Sequence, residues 1–240
     1  MNRKDSYGVR SQILKKYYQS AYQKFLFSND LQGLGIRYFE RHLEKFWLKG
    51  YVPENVLEIG GGNGEHLRFV DYVPLKRYVS FDLRAPSKNL GLGELSDSLK
   101  SVVSFQTGNA EKLPFRDASF DRIKSTCLLH HVDDVLAVLM EARRVTSDGG
   151  ELAFLIPTDP GMLNRAIKRF YSFPKLRKLM DVEPEILYAL DHKNHVDSIL
   201  KQIKFVFRED DLSFHYRPFY IRTWNFNLLI VAKIIKCAKN

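Results

Sequence analysis

Val56-Leu57-Glu58-Ile59-Gly60-Gly61-Gly62-Asn63-Gly64-Glu65-His66-Leu67 is the stretch that decides the fold. It predicts a buried strand that carries an acidic residue and runs into a glycine-rich turn before a helix. Because glycine has no side chain, a ligand can approach the backbone of such a turn closely. The stretch therefore predicts a ligand-binding loop at a strand end, with a tight turn that binds nothing as the alternative.

The spacing of the glycines distinguishes between kinds of ligand. They follow the pattern GxGxG, at Gly60, Gly62 and Gly64, whereas dinucleotide sites use GxGxxG. Glu65 stands where the third glycine of that other pattern would fall. Glu58 disfavours a polyphosphate and suits a cationic ligand. A nucleotide-dependent oxidoreductase is therefore disfavoured.

Short apolar runs recur after this loop and predict further strands. The segments between them are long enough for crossover helices, which indicates a parallel sheet. One such helix should begin at Asp133 or Asp134 and stop at Gly149 and Gly150. The predicted strands are Val56–Ile59, Tyr78–Phe81, Val102–Phe105, Phe120–Lys124 and Leu152–Ile156.

The regions on either side predict helices and a closing hairpin. Apolar residues of the first fifty positions recur three and four apart, up to Phe46 and Leu48. Residues 160–203 predict amphipathic helices inserted after the fifth strand, and Phe205–Tyr216 with Phe226–Ile235 predict an antiparallel hairpin. We expect an N-terminal helical cap at 1–50 and one α/β domain at 51–240 that carries the insertion.

The composition limits the partners and the cellular compartment that we expect for this protein. The formal net charge is +9, which favours anionic partners such as phosphorylated metabolites, acidic membrane surfaces or nucleic acid. The start of the chain is too polar for a secretory signal, so we expect a soluble, cytoplasmic protein. Cys127 and Cys237 have neither the spacing of metal ligands nor that of a disulfide framework, and we assign no metal site.

Three further motifs follow the glycine loop in order: YVSFD at 78–82, GNAEKLPF at 108–115 and STCLLHHVDD at 125–134. Together the four motifs resemble the class I, Rossmann-like S-adenosylmethionine (AdoMet) dependent methyltransferases, particularly the small-molecule group of ubiquinone-biosynthesis-like enzymes. The resemblance covers about residues 56–156. It implies a seven-stranded, mostly parallel sheet with helices on both faces and an antiparallel last strand.

The resemblance also implies a site for the cofactor S-adenosyl-L-methionine. The glycine loop would cradle the methionine part, Asp82 would accept hydrogen bonds from the ribose hydroxyls, and Ser125 would line the methionine tail. Asn109 and Ala110 would contact the adenine, with Asn109 in place of the commoner Asp. Asp82 alone could equally be a turn residue or a helix cap. The implied cofactor residues are Glu58, Gly60, Gly62, Gly64, Asp82, Asn109, Ala110 and Ser125.

Paired histidines in the fourth motif are candidate catalytic residues. His131 or His130 could remove a proton from the acceptor, because imidazole titrates near neutral pH. The alternative is that they only hold the loop in place. His192 and His195, three apart on a predicted helix, could point into the cleft between the cofactor and the acceptor. They could equally be ordinary surface or core residues.

These observations predict an O- or N-methyltransferase acting on a small-molecule, sugar or lipid-linked acceptor. One alternative is a non-catalytic AdoMet-binding regulatory or partner subunit. Another is a nucleic-acid methyltransferase, but the Asn/Asp-Pro-Pro-aromatic motif that holds a flipped base is absent from the sequence. Peripheral contact with an acidic membrane is compatible with the net charge.

Overall fold

A seven-stranded sheet with the strand order β3-β2-β1-β4-β5-β7-β6 forms the centre of the computed structural model. The structure describes residues 3–26, 28–44, 52–70, 75–86 and 95–238. The strands are β1 Asn55–Ile59, β2 Arg77–Asp82, β3 Val103–Thr107, β4 Phe120–Thr126, β5 Thr146–Pro157, β6 Asp211–Arg217 and β7 Leu229–Ile235.

The pairing directions match the fold that the motifs implied. Strands β1 to β5 pair in parallel, whereas β7 runs antiparallel between β5 and β6. The strand order reverses between β1 and β4, and ligands of open α/β sheets bind at the carboxyl ends of the strands beside such a switch point. The ends of β1, β2 and β4 carry the first, second and fourth motifs.

Helices lie before the sheet, between its strands and after β5. The helices at residues 31–44, 135–145 and 196–206 are amphipathic and bury their apolar face, as tertiary packing requires. The helices are α1 Arg3–Lys16, α2 Tyr22–Leu26, α3 Leu31–Glu44, α4 Asp97–Val102, α5 Val135–Val145, α6 Met162–Ile167, α7 Phe173–Leu179, α8 Pro184–Asp191 and α9 Val196–Val206. Within the described residues, no helix combines the length and apolar character needed to cross a membrane.

The two faces of the sheet bury separate apolar clusters, because alternate strand residues point to opposite sides. On one face α5 and α9 pack over β1, β4 and β5, through residues such as Leu139, Ile199 and Phe154. On the other face, Phe39 and Leu43 of α3 pack on β5 and β7. Helix α9, at the end of the 160–203 stretch, therefore lies in the main core.

A third cluster joins the N-terminal helices to the stretch after β5. Tyr17, Ala21 and Phe25 pack against Leu176 of α7 and Leu187 of α8. The first two helices, α1 and α2, and the stretch from α6 to α8 thus form one covering layer, which we call the cap. The predicted helical residues Phe46 and Leu48 lie outside the described residues.

Three local predictions were wrong. The helix that Asp134 caps ends at Val145 and not at the two glycines, because the chain is already extended at Thr146. The run predicted as a strand from Phe205 begins inside α9, and the strand starts only at Asp211. His192 and His195 do not share a helix: one ends α8 and the other precedes α9.

Candidate cofactor and acceptor site

The glycine loop is fixed to the end of β2 by backbone hydrogen bonds. The amides of Gly60 and Gly61 donate to the carbonyl of Phe81 at 2.7 and 3.3 Å. Gly60, Gly62 and Gly64 have φ values of 80°, 53° and 78°, a region that L-residues with side chains rarely adopt. The alternate glycines are therefore required by the backbone path of the loop.

Gly61 is needed for a different reason, and the GxGxG pattern did not single it out. A Cβ atom at this position would lie 2.1 Å from Oγ of Ser80 and 3.2 Å from Oε2 of Glu58. Its φ is not unusual, so close approach of the backbone to these side chains explains the glycine. The loop therefore lies directly over the buried carboxylate of Glu58.

Glu58 presents an unsatisfied acceptor at this point. The side chain is fully buried, and its Oε2 accepts a hydrogen bond from the Tyr78 hydroxyl at 2.5 Å. Its Oε1 has no hydrogen-bond partner in the part of the chain that the structure describes. Because a buried carboxylate oxygen without a partner is costly, this position fits a cationic, hydrogen-bond-donating ligand group. The ammonium of the methionine part of AdoMet has that chemistry.

Asp82 ends β2 with its carboxylate turned toward the glycine loop. Its Oδ2 accepts from the amide of Gly62 at 3.0 Å, and its Oδ1 accepts from the amide of Arg84 at 2.9 Å. An ionised carboxylate offers about four lone-pair positions, so about two remain for a ligand. The residue therefore acts as a turn residue and keeps the capacity to bind two ribose hydroxyls.

The other predicted cofactor residues lie on neighbouring strand ends. The amide of Gly108 donates to the carbonyl of Asp82 at 2.9 Å, which places Asn109 and Ala110 near the end of β2. Asn109 is exposed, and its Oδ1 accepts from the amide of Glu111 at 2.9 Å. Ser125 lies buried in β4, and its hydroxyl has no hydrogen-bond partner among the described residues.

Glu40 of α3 is an acidic neighbour of this site that the sequence analysis missed. Burial raises its pKa, the negative charges of Glu58 and Glu65 raise it further, and the result is about 8. The carboxyl group is therefore largely protonated at neutral pH. A cationic ligand near Glu58 and Glu65 would favour its ionised form.

Three histidines meet at the loop after β4. His130 and His131 belong to that loop, and His192 follows α8. The ring centroid of His130 lies 3.9 Å from that of His131 and 4.3 Å from that of His192. The backbone amides of Lys193 and Asn194 donate to the carbonyl of His130 and hold the two loops together. His195 is exposed and stays outside the cluster.

Two carboxylates back this cluster. Nδ1 of His131 lies 3.1 Å from the carbonyl oxygen of Asp191 and 3.4 Å from its Oδ1. Nδ1 of His192 lies 3.1 Å from Oδ2 of Asp159, which also pairs with Lys168. Because these partners are acceptors, Nδ1 donates in both rings, and the neutral form of each ring carries its lone pair on Nε2.

Burial and the surrounding charges act on the ionisable groups of the cluster. Burial and the neighbouring histidines lower the pKa of His130 well below its ordinary value, and burial also lowers that of His192. Burial alone would raise the pKa of Asp191, but hydrogen bonds from His131 and Tyr18 outweigh it and lower the pKa. His130 and His192 are therefore neutral at pH 7, whereas Asp191 is ionised.

Tyr18 connects the cap to both halves of the site. Its hydroxyl donates to Oδ1 of Asp191 at 2.8 Å, and its ring lies 3.8 Å from the guanidinium carbon of Arg84, two residues after Asp82. Leu128 packs on Gly60 from the histidine loop. The glycine loop, the histidine cluster and the cap therefore form one continuous site.

Comparison with known proteins places this geometry in a family. The sequence model of the family described as "Methyltransferase domain" matches residues 57–154. The ubiquinone/menaquinone biosynthesis C-methyltransferase of Shewanella sp. is 31% identical over 176 residues, which are 71% of this chain and 69% of the relative. The enzyme of the same name from Coxiella burnetii is 29% identical over 72% of each chain.

Solved structures agree in fold. A methyltransferase from Thermotoga maritima, described as a possible histamine N-methyltransferase, has a TM-score of 0.58 at 19% identity and covers 94% of this chain and 99% of its own. Phosphoethanolamine N-methyltransferase 2 of Haemonchus contortus, solved with S-adenosyl-L-methionine, has a TM-score of 0.59 at 15% identity and covers 94% and 60%. This chain therefore belongs to the class I S-adenosyl-L-methionine-dependent methyltransferases of the ubiquinone-biosynthesis type.

Proposed function

We propose that this methyltransferase acts on a small-molecule acceptor with an ionisable hydroxyl group. The methyl group goes either to that oxygen or to a ring carbon made nucleophilic by its ionisation. The observation that carries this proposal is the pair formed by His131 and Asp191 in the covered cleft beside the glycine loop. The relatives are named C-methyltransferases, which adds carbon to the O- and N-acceptors expected from the sequence.

The roles we propose for the cofactor residues follow their contacts. Glu58 and the loop of Gly60, Gly62 and Gly64 hold the methionine end, and Asp82 holds the ribose. Asn109 and Ala110 contact the adenine, and Ser125 lines the methionine tail. When bound, AdoMet supplies a methyl group on a sulfonium that is already a good leaving group. The protein therefore has to align the acceptor, exclude water and receive one proton.

His131 is the residue we propose to receive that proton. The acceptors at its Nδ1 fix the tautomer, so Nε2 presents a lone pair as a general base. Asp191 orients the ring and would stabilise the imidazolium as it forms. His130 is less suited to the role, because its burial opposes any positive charge. We propose that His130 shapes the cleft and supports His131 through ring contact.

The cap is proposed to bind the acceptor and to exclude water from the site. An exposed face with apolar side chains lies on its outside, where Arg169, Phe170, Arg177 and Glu185 line a hollow of about 360 Å³ and Arg177 pairs with Glu185. Phe170 is 77% exposed there. Such a face suits an acceptor that carries a lipid tail or is delivered from an acidic membrane. We keep lipid-linked compounds in the proposed acceptor class for this reason.

A labelled-methyl assay tests the proposal. Purified protein is incubated with AdoMet labelled in the methyl group and with matched panels of phenols, hydroquinones, enols and amines, and products are located by mass spectrometry and NMR. We expect label on oxygen or on the carbon beside a hydroxyl. Transfer to amines alone, in a panel that includes hydroxylated compounds of similar size, would refute the acceptor class.

Replacing His131 should affect the chemical step more than cofactor binding. For His131→Ala we expect kcat to fall by about 10²- to 10⁴-fold, the usual contribution of a general base. Asp191→Asn should lower kcat less, and both variants should bind S-adenosylhomocysteine as the parent protein does. His195→Ala is the matched control, since His195 is exposed and outside the cluster. An unchanged kcat in His131→Ala would show that His131 is not the general base.

Glu40 should make both stability and cofactor binding depend on pH. Its pKa is raised in the folded state from 4.5 to about 8, so its contribution to stability is complete below about 4.5 and is lost as the pH rises through about 8. The loss should reach a few kcal/mol, at about 1.4 kcal/mol per pH unit. Urea titrations between pH 5 and pH 9 should therefore show a flatter profile for Glu40→Gln than for the exposed control Glu54→Gln.

Glu40 should also release a proton when the cofactor binds. Positive charge bound beside Glu58 should lower the pKa of Glu40 and release up to about one proton at neutral pH. Calorimetric titration of AdoMet in buffers of different ionisation enthalpy measures that number. Equal proton release by the parent protein and Glu40→Gln would show that Glu40 does not sense the cofactor.

A further inference from the structure

The histidine cluster has the composition of a transition-metal site as well as that of a base. One ring nitrogen from each of His130, His131 and His192 lies within 4.8 Å of the other two. Tetrahedral Zn²⁺ with bonds of about 2.0–2.1 Å places ligand nitrogens about 3.4 Å apart, so small ring movements would close the set around an ion. Three histidines with a fourth position open are a ligand set of catalytic zinc sites.

The carboxylates behind the rings provide an independent indication. Metal-binding histidines almost always donate their other N–H to a carboxylate, a carbonyl or water. His131 does so to Asp191 and His192 to Asp159, each through Nδ1, which leaves Nε2 for an ion. The two partners come from different parts of the chain, the end of α8 and the segment after β5. Two rings of the cluster are thus oriented as ligands.

His130 supplies the third nitrogen. It is 4% exposed, and its Nδ1 has no hydrogen-bond partner among the residues described here. A buried ring nitrogen without a partner is costly, and coordination would satisfy it. Its neutral form is the one that binds metals. The unsatisfied atom therefore indicates a ligand at the His130 ring.

The surrounding charges favour a cation overall. Asp159 and Asp191 contribute two negative charges, against one positive charge from Lys168, which pairs with Asp159. The side chain of His131 is 27% exposed, so one side of the cluster is open to solvent or to an acceptor. An ion could therefore reach the cluster from the cleft, and the carboxylates of Asp159 and Asp191 would lie behind it as counter-charges.

We infer that His130, His131 and His192 bind one divalent transition-metal ion of the Zn²⁺ class, with a position left open toward the acceptor. In the ion-loaded protein His131 is a ligand and no longer a free base. The ion then lowers the pKa of a coordinated acceptor hydroxyl, whose proton passes to water. This catalytic role rests on the proposed function, whereas ion binding does not.

Direct binding tests the inference without any acceptor. Tag-free protein treated with a chelator is titrated with Zn²⁺ by calorimetry and with Co²⁺ by visible absorption. We expect one equivalent in the parent protein and in His195→Ala, and loss of binding in His192→Ala. Asp159→Asn and Asp191→Asn should bind about 10- to 100-fold more weakly. Equal stoichiometry and affinity in His192→Ala and the parent protein, or no binding by the parent protein, would overturn the inference.

X-ray absorption of the zinc-loaded parent protein keeps the test independent of how the variants fold. We expect three imidazole ligands and one oxygen ligand, and a shell that contains sulfur or fewer than three imidazoles would contradict the assignment. The outcome is separate from that of the proposed function. If the protein binds zinc through this shell but does not methylate hydroxylated acceptors, the ion site is confirmed and the proposed acceptor class is refuted.

Discussion

Glu44→Gln should destabilise the protein by about 3–5 kcal/mol, the range observed when one partner of a buried charge pair is removed. Glu44 of α3 accepts from Nη1 of Arg122 at 2.6 Å and from Nζ of Lys124 at 2.8 Å, and it also pairs with His66. Arg122 and Lys124 have no exposed surface. Without the carboxylate, two cationic side chains of β4 remain buried with less compensation. Urea denaturation measures the loss.

A surface pair provides the control for this prediction. Glu54 and Lys76 form an ion pair at 2.8 Å, but their side chains are 40% and 65% exposed. Exposed pairs contribute about 0–1 kcal/mol, so Glu54→Gln should unfold close to the parent protein. A Glu44→Gln protein within about 1 kcal/mol of Glu54→Gln would show that the Glu44 network does not hold α3 on the sheet.

Asp82→Ala should weaken AdoMet binding by at least about a hundredfold, or about 2.7 kcal/mol. A carboxylate that accepts from two ribose hydroxyls makes charge-assisted hydrogen bonds, each contributing about 1.5–3 kcal/mol. The variant also removes the acceptor that holds the amide of Gly62, so the loop loses one of its hydrogen bonds to β2 and keeps those from Gly60 and Gly61 to Phe81. Calorimetric titration measures the change in affinity, and circular dichroism checks the fold.

Asp97→Ala is the control for Asp82. The side chain of Asp97 is fully exposed at the start of α4, and its one ion pair among the described residues is with Lys100. Its removal should leave the affinity for AdoMet unchanged. If Asp82→Ala bound AdoMet as tightly as Asp97→Ala does, the ribose would not lie at the end of β2.

The part of the site built on strand ends could be predicted from the sequence. Gly60 and Asp82 follow apolar runs directly, and a parallel sheet places such positions at one edge. Their roles toward AdoMet stay proposals, but their position in the fold follows from the motifs. The conformations at Gly60, Gly62 and Gly64 also agree with the reason for expecting glycines there.

The histidine cluster could be predicted only in part. His130 and His131 lie in a motif, whereas His192 joins them from about sixty positions away, and its partner Asp159 follows β5. No local periodicity links these segments, because packing of the cap on the sheet brings them together. The expectation that His192 and His195 share a helix face failed, since the chain is not helical between them.

The buried charges were missed, although the sequence carries a signal for them. Glu40 and Glu44 are four apart on α3, on the same face as the apolar Leu43. Arg122 and Lys124 are two apart on β4 and therefore on one face of the sheet. An acidic residue that stays ionised on the buried face of a helix, as Glu44 does, requires cationic partners, and a strand with two cations on one face offers them. That pairing would have predicted where α3 packs.

The most direct test of the cofactor site is a crystal structure of the protein with S-adenosylhomocysteine. We predict the ribose hydroxyls within hydrogen-bond distance of the Asp82 carboxylate, and the amino-acid end over Gly60–Gly64 with its ammonium facing Glu58. A nucleoside bound elsewhere, with Asp82 still bonded only to the amides of Gly62 and Arg84, would contradict this account of how the enzyme holds its methyl donor.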